Sequence, residues 1–152
     1  MITQQRDLTR TAAPARPATQ PRRLTAATVD ALIALMFGLA AAGATGVTAA
    51  DGVVELHVQS PTVWAAALGA LLGSSFLNHV LLARATRASL GKLTTGLRVV
   101  RASDGGRPRL LPLVGRWLFG FYWTVVFVPL HLATDSGVEQ QDAVGIRVVR
   151  RS

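Results

Sequence analysis

The chain has no cysteine, so disulfides, thiolate nucleophiles and thiolate-bound metals are excluded from its chemistry. Acidic residues are few, eight Asp and Glu against sixteen Lys and Arg, and only one of those sixteen is lysine. The motifs of common catalytic sites are missing as well. Gly91-Lys92 resembles the end of a phosphate-binding loop, but Thr86 stands where the loop needs its first glycine and Leu93 follows the lysine in place of Ser or Thr. His57, His79 and His131 lie in three separate segments, with no HxxxH or HxxE pair. Ser74, Ser75 and Ser89 have no Gly-x-Ser-x-Gly setting. No catalytic residue, metal site or cofactor is expected, and no enzyme.

What the chain does have is apolar length. Half of its 152 residues are hydrophobic and the mean hydropathy is +0.37, which excludes a wholly disordered chain. Residues 24–47 carry one charge, Asp30, and at about 1.5 Å per residue would cross a hydrocarbon core of roughly 30 Å. Residues 63–83 carry none, though Asn78 and His79 fall among them. A third segment, 113–134, is uncharged beyond Arg116. Helices of soluble domains average about 11 or 12 residues and keep one polar face, so the expectation is an all-α polytopic membrane protein with three transmembrane helices. Residues 1–22, rich in Arg and Pro, read as a disordered basic tail ahead of a membrane domain at 23–150. No apolar run precedes Leu24, so the first hydrophobic segment is expected to remain as an anchor.

Charge placement sets the topology. The tail and the connection 84–116 are basic, whereas Asp51 to Pro61 has two acids and no Lys or Arg. The positive-inside rule therefore puts the N-terminus and the 84–116 loop in the cytoplasm. The basic excess is topological, and nucleic acid is not an expected partner. Acids and bases balance in 135–152, so the side that this tail occupies stays open, with the third segment either a full crossing or a re-entrant path. Gly96-Leu97-Arg98-Val99-Val100-Arg101 and Gly145-Ile146-Arg147-Val148-Val149-Arg150 are nearly the same six residues. Pairing them as strands would require the re-entrant path, and the echo is read as chance.

Asp30 is the foremost candidate. It lies about 9 Å inside the first segment, where a carboxylate costs roughly 2.5–3.5 kcal/mol and needs a protein partner. Arg23 shares its helix face, and Arg116 enters at matching depth, either pairing with Asp30 or snorkelling to the interface beside Trp117. Gly69 and Gly73 form a GxxxG packing face for a helix of this chain or of another copy.

Arg23 through Asp30 (RLTAATVD), Ser89-Leu90-Gly91-Lys92 with Gly96-Leu97-Arg98-Val99-Val100, the Asp104-Gly105-Gly106 turn, Arg116, and Asp142 before Gly145 together resemble the RDD family of membrane proteins. The resemblance runs from about Arg22 to Arg150 and implies that Arg23, Asp30 and Asp142 carry the family's naming positions. Gln141 stands where the family usually shows histidine. The resemblance implies a multi-pass protein of a bacterial inner membrane, its partners the lipid bilayer and either another membrane protein or a second copy. Two roles follow as expectations: an accessory or assembly subunit docked through a buried Arg/Asp cluster, or an oligomeric transporter of a small ion or solute that uses Asp30.

Overall fold

The computed structural model describes residues 18–122 and 145–150. Helix α1 (Gln20–Gly46) begins inside the segment assigned to the tail, with Pro21 in its first turn, where a missing N–H costs nothing. A hairpin follows, β1 (Val47–Ala50) and β2 (Val53–Leu56). Its two-residue Asp51-Gly52 turn has positive φ at both positions, the geometry that matches strand twist. Helix α2 (Pro61–Phe76) runs through a π-helical turn, Leu77–Leu82, into α3 (Ala83–Thr86), giving a continuous helix from Pro61 to Thr86. The short α4 (Leu90–Thr94) leads to β3 (Leu97–Arg101), then α5 (Leu110–Tyr122) and β4 (Ile146–Arg150). Between β3 and α5, Gly106 N–H and the Arg101 guanidinium bond Asp104 in the expected turn.

The fold is mostly helical but not all-α, because two antiparallel two-stranded sheets accompany the helices. The near-repeat is no chance echo. β3 and β4 are its two copies, paired with Val99 opposite Val148 and Leu97 opposite Arg150. Alternation puts Leu97, Val99, Ile146 and Val148 on one face, and these side chains supply much of the described core together with Val80, Ala83, Ala26 and Leu113. Among the described residues, two helices, Gln20–Gly46 and Pro61–Thr86, are long and apolar enough to cross a membrane. The expected third span is represented by the shorter apolar α5, and its remainder lies outside the described residues.

Burial along the long helices is inverted relative to a water-soluble core. The buried residues of α1 are Ala26, Asp30, Ala34, Gly38 and Gly46, a stripe of small side chains with a single acid. Met36 and Leu39 are 69% and 63% exposed, and Leu32, Phe37, Trp64, Leu68 and Leu72 also point outward. Water would drive those large side chains inward, whereas lipid is as apolar as they are and leaves only close packing to join the helices. That packing is tight where glycine permits it. A Cβ on Gly38 would lie 3.1 Å from the Ala67 carbonyl oxygen and 3.2 Å from Leu71 Cβ, and one on Gly46 would press on Val63. With Asn78 reaching Asp30, these contacts make α1 and α2–α3 an antiparallel pair. Gly69 and Gly73 are not part of it: a Cβ on either meets nothing within 4 Å, so no described segment of this chain uses the GxxxG face.

Gly38→Val is expected to destabilise the helix pair by about 1–3 kcal/mol, while Gly69→Val leaves the monomer unchanged. Thermal unfolding of the two variants in detergent checks the contrast.

Candidate functional site

Ser89 begins α4 but its hydroxyl does not cap that helix. The exposed N–H groups of the first turn, which have no intrahelical acceptor, are met instead by side chains from the two long helices. Leu90 N–H donates to Asn78 Oδ1 (2.8 Å) and Gly91 N–H to Asp30 Oδ1 (2.7 Å). Asn78 Nδ2 also donates to Asp30 Oδ1 (2.7 Å), and the Ser89 hydroxyl donates to Asp30 Oδ2 (2.6 Å). Lys92 Nζ donates to Ser89 Oγ at 3.0 Å and stands 4.0 Å from Asp30 Oδ2. One carboxylate, 3% exposed, thus fastens α1 to the π-helical turn and to α4. The π turn carries Asn78, and such turns recur where a helix must re-aim side chains.

The backbone explains Gly91. A Cβ there would overlap the Ala26 carbonyl group and come 2.9 Å from Asp30 Cγ, so α4 approaches α1 only because this position has no side chain. Gly96 has φ +66° and turns the chain from α4 into β3. Ser89, Gly91, Lys92 and Gly96 therefore have distinct physical duties: hydroxyl donor, close approach, nearby cation and turn.

Of the expected residues, the structure brings Arg23, Asp30, Lys92 and Arg116 around one cavity of about 600 Å³, which His79 and Trp117 also line. Among the described residues, Lys92 stands within ion-pair distance of Asp30. Arg116 shares the cavity, and its charge acts on Lys92. Asp142 lies outside the described residues. Sequence reasoning noted Asn78 only as a polar residue within the second apolar segment and gave Ser89 no role at the acid. The available signal was an amide inside an apolar span, which needs a hydrogen-bonding partner as the acid does. Trp117 donates from Nε1 to Ser75 Oγ at 3.1 Å and meets Phe76 and Phe121 edge to face, which fixes α5 against α2. Among the described residues, no three of His, Cys, Asp and Glu come together as a metal site.

The RDD family profile matches residues 17–134. The chain belongs to the RDD family. Matched residues include Arg23, Asp30, Ser89 to Lys92 and Arg116, so the clasp lies within the part that defines an RDD protein; Asp142 and β4 fall beyond it. No curated protein and no solved structure matches the chain. Membership and the apolar helices make this RDD chain a membrane protein.

Burial is the main cause that brings Lys92 down from its ordinary 10.5 to about 8; the charge of Arg116 adds to this and Asp30 opposes it. A value below that of the unfolded chain means that the folded protein releases this proton first. The contribution of Lys92 to stability is thus lowest below about pH 8 and rises from there toward the unfolded value. Lys92 is the chain's one lysine, so ¹³C-lysine NMR reads it without assignment. A midpoint near 8 is expected, against one above 10 for an exposed amine. Gly91→Ala is expected to cost about 3 kcal/mol through overpacking, seen as a lower unfolding midpoint.

Proposed function

We propose that this chain is an accessory or assembly subunit of a membrane complex, in which the Asp30 clasp shapes a surface for other membrane proteins and takes no part in a reaction. One observation carries the reading. The Asp30 carboxylate accepts hydrogen bonds from three donors on two other elements, which suits a fastening better than a group that must load and unload a cargo ion. Gly69 and Gly73, uncovered within the described chain, support a neighbouring helix from a partner protein or a second copy.

The same reading includes a bacterial inner membrane and a cytoplasmic N-terminus. Supporting it, the end of the molecule that holds the β3–β4 sheet also holds Arg84, Arg87, Arg98, Arg101, Arg107, Arg109, Arg147 and Arg150, while the β1–β2 end has Asp51 and Glu55 with no Lys or Arg. The strand pairing supports a re-entrant course for the third segment, since the chain leaves β3 and rejoins it through β4 at one end of the helix pair.

The alternative is an oligomeric transporter that uses Asp30, favoured by the cavity at this residue. Asp30→Asn separates the two. The amide presents a donor where the carboxylate accepts from Ser89 or Gly91, and breaking such a buried centre costs about 3 kcal/mol or more. The assembly role predicts reduced accumulation in the membrane and loss of co-purifying proteins. A normally accumulated variant that keeps its partners but has lost ion or solute flux in proteoliposomes would establish the transport role instead.

A further inference from the structure

Lysines usually keep their amines in water, and Lys92 does not. It stands one turn beyond Ser89 on α4, and the close approach that Gly91 allows brings that turn against α1, which leaves the lysine side chain 15% exposed. Nζ donates to Ser89 Oγ at 3.0 Å and stands 4.0 Å from Asp30 Oδ2. Both oxygens of that carboxylate already have closer donors, the Ser89 hydroxyl at 2.6 Å and the Asn78 and Gly91 N–H groups at 2.7 Å. The clasp therefore closes without Lys92, and the lysine lines the cavity of about 600 Å³ beside it. That volume suits a small organic molecule, and much of the wall is apolar, with Leu71, Leu97, Leu113, Phe121 and Val148. Such surroundings disfavour the ammonium and free the lone pair. The fall from 10.5 to about 8 raises the neutral share of Lys92 near neutral pH by roughly a few hundredfold. A desolvated amine of this kind is a nucleophile for carbonyl carbon.

We propose that Lys92 is a covalent binding site for an aldehyde with an apolar body, held as an imine on Nζ with the body in the cavity. The neutral amine adds to the carbonyl carbon, its lone pair forming the C–N bond as the π pair of the carbonyl moves to oxygen. The carbinolamine then loses that oxygen as water. Overall, one ammonium and one aldehyde give one protonated imine and one water, with no electron donor or acceptor and no net change in protons. The single positive charge stays at Nζ beside Asp30 and keeps one N–H for Ser89 Oγ, so the contacts of the ammonium serve the imine as well. This site does not depend on what the chain assembles with, so it stands or falls apart from the assembly role.

The test uses the full chain in phosphatidylcholine nanodiscs, whose lipid has no primary amine. Decanal is added near neutral pH with cyanoborohydride, which reduces an imine to a stable secondary amine, and peptide mass mapping locates the decyl group. Lys92 is the chain's one lysine, and the α-amino group is the reference amine. Saturable labelling of Lys92, faster than that of the α-amino group and slowed by decanol, is expected. Acetaldehyde, which has no apolar body, is expected to label Lys92 at least about tenfold more slowly relative to the reference. Ala31 lines the cavity and is itself exposed, so Ala31→Trp is expected to cut Lys92 labelling by about tenfold with the unfolding midpoint and the reference unchanged. Lys92→Arg is expected to leave label on the α-amino group alone. A folded wild-type protein whose Lys92 stays unlabelled overturns the proposal without recourse to any variant. Labelling of Lys92 that is no faster than the reference, or that acetaldehyde matches and decanol does not slow, overturns it equally.

Discussion

A carboxylate inside an apolar helix is tolerable only when its surroundings replace the hydrogen bonds of water. Asp30 meets this requirement with groups that themselves need an acceptor. The backbone N–H of Gly91 has no intrahelical partner, Asn78 sits within an apolar helix, and the Ser89 hydroxyl is fully buried. Each group would be costly to bury alone, and together they satisfy one another. This mutual dependence joins α1 to a π turn and a short helix that lie 48 and 61 residues further along the chain. It also explains why α4 needs no long helical run of its own: its first turn is capped from outside.

The remaining architecture follows from the choice of solvent. Small residues on the inner stripe of α1 and large ones outside are expected where lipid covers the helices, because burial of Leu or Met gains nothing there and close backbone approach gains dispersion contacts. A more ordinary hydrophobic core appears where β3, β4 and the start of α1 meet, with Leu97, Val99, Ile146 and Val148 packed inward. The protein is thus built on two regimes, glycine- and alanine-mediated packing along the helix pair and β-branched packing beneath it. The clasp stands at their junction, in contact with both.

Much of this was legible in the residues. Helix length and apolarity placed both long helices to within a few residues, and the isolated acid identified the centre because its cost is independent of fold. What escaped was pairing. The near-repeat of Gly96–Arg101 and Gly145–Arg150 carried the β-branched alternation of strands, but the assumption of three full crossings argued against bringing the copies together. The Asp51-Gly52 turn was a hairpin signal passed over inside a short loop. Depth along the helix axis put Arg116 level with the acid, and the two line one cavity. The backbone donor of Gly91 has no side chain by which sequence could announce it, and its role emerges only from the approach to Ala26.

The central claim is that Asp30 and Asn78 stabilise the fold as one unit. A double-mutant cycle of Asp30→Ala and Asn78→Ala, read by reversible unfolding of the purified protein in micelles, tests it most directly. The account predicts that the two losses fall short of additivity by about 1–2 kcal/mol, in the range found for residues sharing a hydrogen-bond network. Losses that simply add would show the acid and the amide to act separately, and the clasp would not be what holds these helices to the loop.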